Sequence, residues 1–411
     1  MTKKPFTLAI HWQILIMLLL GGLFGYFFPH LAKYTNWIGE VFLRGLNMVI
    51  IPLILCSIMT GVASVGNADN LGRLGLKTMG FYILSTLIAI VTGFFFVQLI
   101  KPGVGAELGL QVPLEQISAG SESFGQTLIK IVPSNIFDSM VQGHMLSIIF
   151  FAILAGFFIT RVGEKSRVLL MDVLNACLDV IMKITLFVIR FTPLGIFSIS
   201  AKVISGQLLI GNEVGEVINR LGLYFVTVLL GLLVHGLITL PLTVKLLGRA
   251  NPIKHFRNMS VPLLTAFSTS SSNATLPLTM EAVEFNDGVS NKIASFTLPL
   301  GATVNMNGTA LYECVAVMFI AQAYGIDLTF GQQMVVIFTA LLAAIGSAGI
   351  PMAGLVMMVV VLNAVGLPLE GIGLILAVDR ILDMFRTTIN VYGDTCAAVI
   401  IAKSEGETLR V

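Results

Sequence analysis

The sequence is short of charge. Asp, Glu, Lys and Arg make up only 11% of its 411 residues, where a soluble chain carries about 25%. Hydrophobic residues supply 56%, so most of the chain belongs in lipid rather than water. The net charge of +2 leaves no basic footprint for nucleic acid. Cysteine is scarce: Cys56, Cys177, Cys314 and Cys396 sit in apolar stretches with no paired short spacing. That excludes a zinc pattern or disulfide framework and predicts buried free thiols. His11, His30, His144, His235 and His255 are scattered, mostly near expected helix ends or loops. With no nucleophile–base pair or metal-ligand cluster, a membrane enzyme is disfavoured. A signal-peptide cleavage pattern is also lacking, so the apolar run from Leu8 reads as a retained first helix.

What is present is a series of long apolar runs, at about 8–28, 38–64, 76–100, 136–160, 168–204 and 217–247. Each meets the ~20 residues needed to cross the hydrocarbon core. Lys3 and Lys4, Arg73 and Lys77, Arg161, Lys165 and Arg167, then Lys245, Arg249, Lys254 and Arg257 mark one set of alternate loops. The other set carries Glu107, Glu115, Glu122, Glu213 and Glu216, with Lys101 and Lys130 nearby. The positive-inside rule then places the N-terminus in the cytoplasm.

After residue 250 the pattern changes. Segment 251–285 holds FSTSSSNATLP, from Phe267 to Pro277, a run of hydroxyl and amide residues closed by proline. Segment 329–366 holds AIGSAGIPMAG, from Ala344 to Gly354, rich in glycine and containing Pro351. Each is an apolar arm, a helix-breaking middle and a second arm, the pattern of a re-entrant hairpin. Broken backbone at membrane depth survives only when buried in protein or lining a cavity. Two such segments in comparable places point to a transporter binding site between repeats. Between them, 289–324 reads as a seventh span with GATVNMNGTALYE at its centre, Gly301 to Glu313. Asn305, Asn307 and Gly308 are poor helix formers and predict local unwinding. Freed carbonyl and amide oxygens suit small hard cations. Glu313 lies beyond the unwound part; a carboxyl group in apolar surroundings can take up and release a proton.

The last apolar segment, 369–402, carries DRILDMFRTTINVYGD, from Asp379 to Asp394. At ~100° per residue, Asp383, Arg386, Asn390 and Asp394 fall at about 40°, −20°, 20° and 60° from Asp379. A charge at mid-bilayer costs ~2.5–3.5 kcal/mol on insertion scales. This stripe must therefore face protein, water or a ligand. An ion-pair network locking a helix bundle is the structural alternative.

At SSSNATLP, GATVNMNGTALYE, GSAGIPMAG and DRILDMFRTTINVYGD, in that order, the chain resembles the glutamate transporter homologues, the dicarboxylate/amino acid:cation symporters. That family includes archaeal aspartate transporters, bacterial glutamate and C4-dicarboxylate carriers and vertebrate excitatory amino acid transporters; the resemblance covers essentially the whole chain. It implies an all-α membrane protein of eight transmembrane helices and two re-entrant hairpins with inverted repeats, assembled as a homotrimer in lipid. Scaffold helices would occupy 1–75 and 127–206, and an elevator-like transport domain 76–101 and 215–411. Both termini would be cytoplasmic, in the inner membrane of a cell. By position, Arg386 would hold the substrate's side-chain carboxylate and Asp383 its amino group. Asn390, Thr387 and Thr309 would complete the pocket, closed by Ser271 and Ser272 on one side and Ile350 to Gly354 on the other. One sodium would sit among Gly301, Asn305, Asn390 and Asp394. A second would use backbone oxygens of Thr303, Met306, Ala344, Ile345 and Ser347. A third would use Tyr82, Ser85, Thr86, Asn305 and Asn307, and Glu313 would carry the proton.

Three departures from the family pattern matter. Position 307 is Asn where sodium-coupled members usually have Asp, which weakens the third site. Ser270 replaces an archaeal arginine and Met384 replaces its vertebrate counterpart, leaving Arg380 to compensate. Glu313 matches the vertebrate pattern associated with proton and potassium coupling. The expected function is sodium- and proton-coupled import of glutamate or aspartate, with no resident cofactor. A proton-coupled glutamate or C4-dicarboxylate carrier is the runner-up. An ion channel lined by the charged helix is the reading from another class; Asp383, one turn from Arg386, favours a carrier of zwitterions.

Overall fold

The computed structural model describes residues 10–65, 72–105, 129, 131–209, 214–346 and 353–411. Among the described residues all regular structure is helical. The first three apolar runs form single helices, α1 Ile10–Phe27, α2 Asn36–Val65 and α3 Gly72–Ile100. The next two are each divided, against the sequence expectation of one span apiece. Run 136–160 becomes α4 Ile136–Gln142 and α5 Met145–Ile159, because Gly143 takes the left-handed φ of +73° that ends a helix. Run 168–204 becomes α6 Glu164–Ile189 and α7 Thr192–Leu209, bent by 48°. Pro193, in the first turn of α7, has no N–H with which to continue the ladder. The sixth run is α8 Val214–Val234, a π turn over His235–Thr239 and α9 Leu240–Leu246.

Helix α10, Pro252–Asn258, is capped by Asn251, whose Oδ1 accepts from the amides of Ile253 and Lys254 at 3.0 and 3.1 Å. It leads into α11 Ser260–Thr269 and α12 Ser272–Ala282, which pack on each other across a break. Ser270 adopts a left-handed φ of 51°, and Ser271 restarts the helix by accepting from Ala274 N. Pro277 lies inside α12, so the serines make the break and the proline does not close it. Further on run α13 Asn291–Val304, α14 Asn307–Ala323, α15 Phe330–Ile345, α16 Ala353–Ala364 and α17 Ile372–Ser404. The glycine- and proline-containing centre of the second interrupted segment, 347–352, lies outside the described residues.

By length and composition, four helices among the described residues can cross a membrane, and the bent α6–α7 pair makes a fifth. Helix α17 is 33 residues long but carries the charged stripe. Helix α2 packs on α5, α6 and α7, and α1 on α7. Helices α3, α8 and α17 pack around α14, and α17 also receives α11 and α13. Every residue of α14 but Gln322 is buried. Close approach replaces hydrophobic driving force between helices in lipid: a Cβ at Gly93 of α3 would come within 2.9 Å of Leu311 of α14. Of the four thiols expected to be buried, Cys314 and Cys396 are; Cys56 is half-buried and Cys177 exposed, because α6 covers only one of its faces with neighbouring helices.

Past the end of α17, Glu405 pairs with Lys77 at 2.6 Å and Arg73 at 2.5 Å, both in the first turns of α3. These hydrogen bonds and charges hold its carboxyl below the usual carboxylate range. A depressed folded-state value stabilises the fold above the unfolded value, and that stability is lost as pH falls through the depressed one. Arg73 is largely exposed, so solvent screening limits the contribution to ~1 kcal/mol or less. Thermal unfolding of wild type and Glu405→Gln should therefore differ slightly at neutral pH and converge on acidification.

Candidate substrate and cation site

Because α17 is continuous, the stripe read from the sequence is realised as one buried face. Asp379, Asp383, Arg386, Asn390 and Asp394 are all buried, Arg386 with no exposed surface. The Arg386 Nη2 lies 2.8 Å from Asp383 Oδ1 and 3.2 Å from Asp379 Oδ1. The Asp379 contact is within ion-pair range but outside hydrogen-bond geometry, and neither Asp379 oxygen has a hydrogen-bond partner among the described residues. The guanidinium carbon sits 3.8 Å from the centre of the Tyr312 ring, a desolvated cation–π contact. The Arg386 Nε and Nη1 are buried without a partner among the described residues. An unpaired buried donor costs about 1–3 kcal/mol, more when charged. Gly354 of α16 leaves the space beside Nη1 open, since a Cβ there would stand 3.0 Å from Nη1 and 3.2 Å from Thr309 Cγ2. Arg380 Nη1 reaches Asp383 Oδ2 at 3.5 Å, so Asp383 lies between two arginines.

Opposite this face the seventh span is broken. Asn305 and Met306 leave helical geometry, with φ/ψ of −97°/71° and −99°/57°. Asn390 clasps the restart of α14: its Oδ1 accepts from Gly308 N at 2.7 Å and its Nδ2 donates to Thr309 Oγ1 at 3.1 Å. Asn305 Nδ2 donates to Asp394 Oδ1 at 2.8 Å. A side chain at Gly301 would overlap the Asp394 carboxylate and the Tyr82 hydroxyl. Gly301, Asn305, Asp394 and Tyr82 thus converge, while Asn390 is engaged with Gly308 and Thr309 and the Tyr82 hydroxyl itself donates to Thr297 O at 2.7 Å.

One turn away, Thr86 Oγ1 donates to Asn307 Oδ1 at 2.7 Å. Ser85 Oγ lies 3.4 Å from both Asn305 Oδ1 and Asn307 Oδ1. Asn307 Nδ2 approaches His235 Nε2 at 3.4 Å. Asn307 therefore spends both ends of its amide on neighbouring protein groups.

The remaining expected residues divide. Thr309 and Thr387 are buried beside the Arg386 face, and Ser271 and Ser272 are buried at the start of α12, which packs on α17. Ala344 is buried; a Cβ at Gly61 would meet Val304 at 3.9 Å and the Ile345 carbonyl at 4.0 Å, so the ends of α13 and α15 face each other across α2. The Thr303 side chain turns away from them, exposed and bonded to Leu300 O. Ser347 and Ile350 lie outside the described residues. Glu313 has no exposed surface, and neither of its carboxyl oxygens has a hydrogen-bond partner among the described residues.

Two contributors escaped the sequence reading. His235 is surrounded by apolar neighbours in sequence, opens the π turn and meets Asn307 from there. Tyr312 follows the unwound motif but carried no charge signal. Asp379 was legible on the stripe, although its pairing with Arg386 was not.

The comparisons extend over the same residues. Residues 10–404 match the sodium:dicarboxylate symporter family. Human "Excitatory amino acid transporter 3" is 38% identical over 90% of this chain and 79% of its own length. The Geobacillus stearothermophilus "Proton/sodium-glutamate symport protein" is 35% identical, covering 97% of this chain and 95% of its own. The Escherichia coli (strain K12) "Proton/glutamate-aspartate symporter" is 32% identical, covering 98% and 94%. A helical protein with several membrane-length apolar helices and a buried charged face in its last helix, this chain belongs to the sodium:dicarboxylate symporter family, whose members are transporters and not enzymes.

Proposed function

We propose that the protein is a secondary active symporter that imports glutamate or aspartate, coupled to sodium and a proton. The observation that carries this reading is Arg386, wholly buried, seated on Tyr312, with its Nε and Nη1 donors unpartnered among the described residues. A charged guanidinium N–H makes a strong, charge-assisted hydrogen bond to a carboxylate, and a carboxylate bound beside Gly354 would satisfy the orphaned Nη1. Asp383 offers the opposite charge one turn away for an α-amino group, with Thr309, Thr387 and Asn390 around it. Ser271, Ser272 and the segment from Ile350 to Gly354 would close the pocket as re-entrant hairpin tips. Transported sodium would enter among Asp394, Asn305, Asn390 and Gly301, where one carboxylate and several neutral oxygens suit a hard cation. The second sodium would use the helix ends at Thr303, Met306, Ala344, Ile345 and Ser347. Glu313 would carry the proton.

In the architecture proposed here, eight spans and two hairpins build a trimer with both termini in the cytoplasm, in an inner membrane. Helices α3 and α8 to α17 would move as the elevator against α1, α2 and α4 to α7. The helix packing supports that division, because each group makes its main contacts within itself.

A second reading has its own observation. The Ser85, Thr86, Asn307 and His235 cluster is closed by bonds among uncharged side chains and the imidazole, with no carboxylate of its own. This favours fewer sodium ions per cycle and a larger share for the proton, as in a proton-coupled glutamate or C4-dicarboxylate carrier. Uptake of labelled aspartate, glutamate and succinate into proteoliposomes under separately imposed sodium, proton and potassium gradients decides between them. Saturable uptake driven by sodium or protons is expected; unsaturable ion flux without substrate would mean a channel. Asp394→Asn should raise the sodium concentration for half-maximal substrate binding, and an unchanged value would place the site elsewhere.

A further inference from the structure

Behind the cation site lies a second buried polar cluster for which neither the composition nor the proposed transport cycle has a use. His255 of α10 and Asp287, the last residue of the π turn that follows α12, have no exposed surface. Their Nδ1 and Oδ2 atoms are 2.6 Å apart. The other carboxylate oxygen accepts from Asn258 Nδ2 at 2.8 Å, and the Asp287 carbonyl accepts from the Arg410 amide at 2.8 Å. The other ring nitrogen, Nε2, lies 3.1 Å from Thr395 Oγ1 and 3.7 Å from Cys396 Sγ. The imidazole also stacks on Tyr392, with centroids 5.6 Å apart and planes at 22°. Thr395 in turn donates to Tyr392 O at 2.8 Å.

Tyr392, Thr395 and Cys396 share one turn of α17 with Asp394. At ~100° per residue they lie at about −200°, 100° and 200° from it, Tyr392 and Cys396 on the far side of the helix and Thr395 on its flank. One side of this turn therefore presents Asp394 to Asn305, while the other is bolted to α10 and the base of α12. Removing one partner of a buried acid–imidazole pair leaves an uncompensated polar group, so the pair tolerates a single geometry. Groups outside the first ring of ligands orient a cation's ligands and tune its affinity.

We infer that His255 and Asp287 are positioning residues for the cation site: through Thr395 they set the register of the turn that carries Asp394. This rests on the cation role proposed above for Asp394. It also assigns a purpose to a histidine and an aspartate that are 32 residues apart in sequence.

The test uses the purified full chain and labelled glutamate. Binding is titrated with sodium, then with lithium in its place, for wild type, His255→Gln, Asp287→Asn and Thr395→Val. Each variant should raise the half-maximal sodium concentration by roughly 10-fold, the scale on which outer partners act. Each should also narrow the preference for sodium over lithium, with glutamate affinity at saturating sodium within about twofold of wild type. Folded variants that lose thermal stability while keeping sodium dependence and ion preference unchanged would overturn the inference and leave the pair a brace for the helix packing. Should Asp287→Asn fail to fold, Thr395→Val, which removes one hydroxyl, decides alone. If wild-type binding does not depend on sodium, the cation reading itself falls, a result distinct from unaltered variants in a sodium-dependent wild type.

Discussion

Arg386→Ala is expected to abolish the binding of acidic substrates. The side chain is the only arginine centred on the stripe, it has no exposed surface, and its unpartnered Nη1 faces Gly354 beside Thr309. Without it a substrate carboxylate would be buried unpaired, and Asp379 and Asp383 would lose their shared partner. Breaking a buried pair costs ~3–5 kcal/mol, between about a hundredfold and a few thousandfold in affinity. Arg386→Lys should fail largely as well, because a point charge reproduces neither the spread of donors that serves Asp383 and a substrate together nor the stacking on Tyr312. Equilibrium binding of glutamate and aspartate to detergent-purified protein checks both. Thermal unfolding on the same samples separates lost binding from lost fold. Near-normal affinity in folded Arg386→Ala protein would remove the proposed role.

The second large effect belongs to Glu313. It is wholly buried in α14, two turns from Asn305 and the helix break, and has no hydrogen-bond partner among the described residues. A carboxyl group so enclosed exchanges its proton only when the surroundings open. Wild-type uptake into proteoliposomes should accelerate under an inward proton gradient. Glu313→Gln keeps size and shape but fixes the neutral form. That variant should still bind and exchange substrate, while its net concentrative uptake falls to near background and loses its response to pH. If the closed Asn307 cluster holds no third sodium, the proton would carry more of the coupling, which would enlarge the expected loss. Unchanged net uptake and an unchanged pH response would make Glu313 structural.

These predictions draw unequally on sequence and structure. The membrane class, the polar stripe and the helix breaks at Ser270–Ser271 and Asn305–Met306 were legible in the chain. Their causes are local: low charge over lengths that match the bilayer, a helical period, and residues that leave helices cheaply. The divisions at Gly143 and at the α6–α7 bend were missed, because a single glycine or proline in an apolar run is also compatible with an unbroken helix. Pro277 was misread for the converse reason, since a cap at Ser271 lets α12 run on through it.

Which groups meet was a matter for tertiary structure. The Arg386–Asp383 pair could be anticipated from helical spacing, but Tyr312 beneath Arg386 and Gly354 beside it come from other helices. The same holds for His235 on Asn307 and His255 on Asp287. Periodicity constrains neighbours three or four residues apart on one helix. It carries no information on which helix packs opposite, and that packing decides whether a buried polar group becomes a ligand, a brace or a proton carrier.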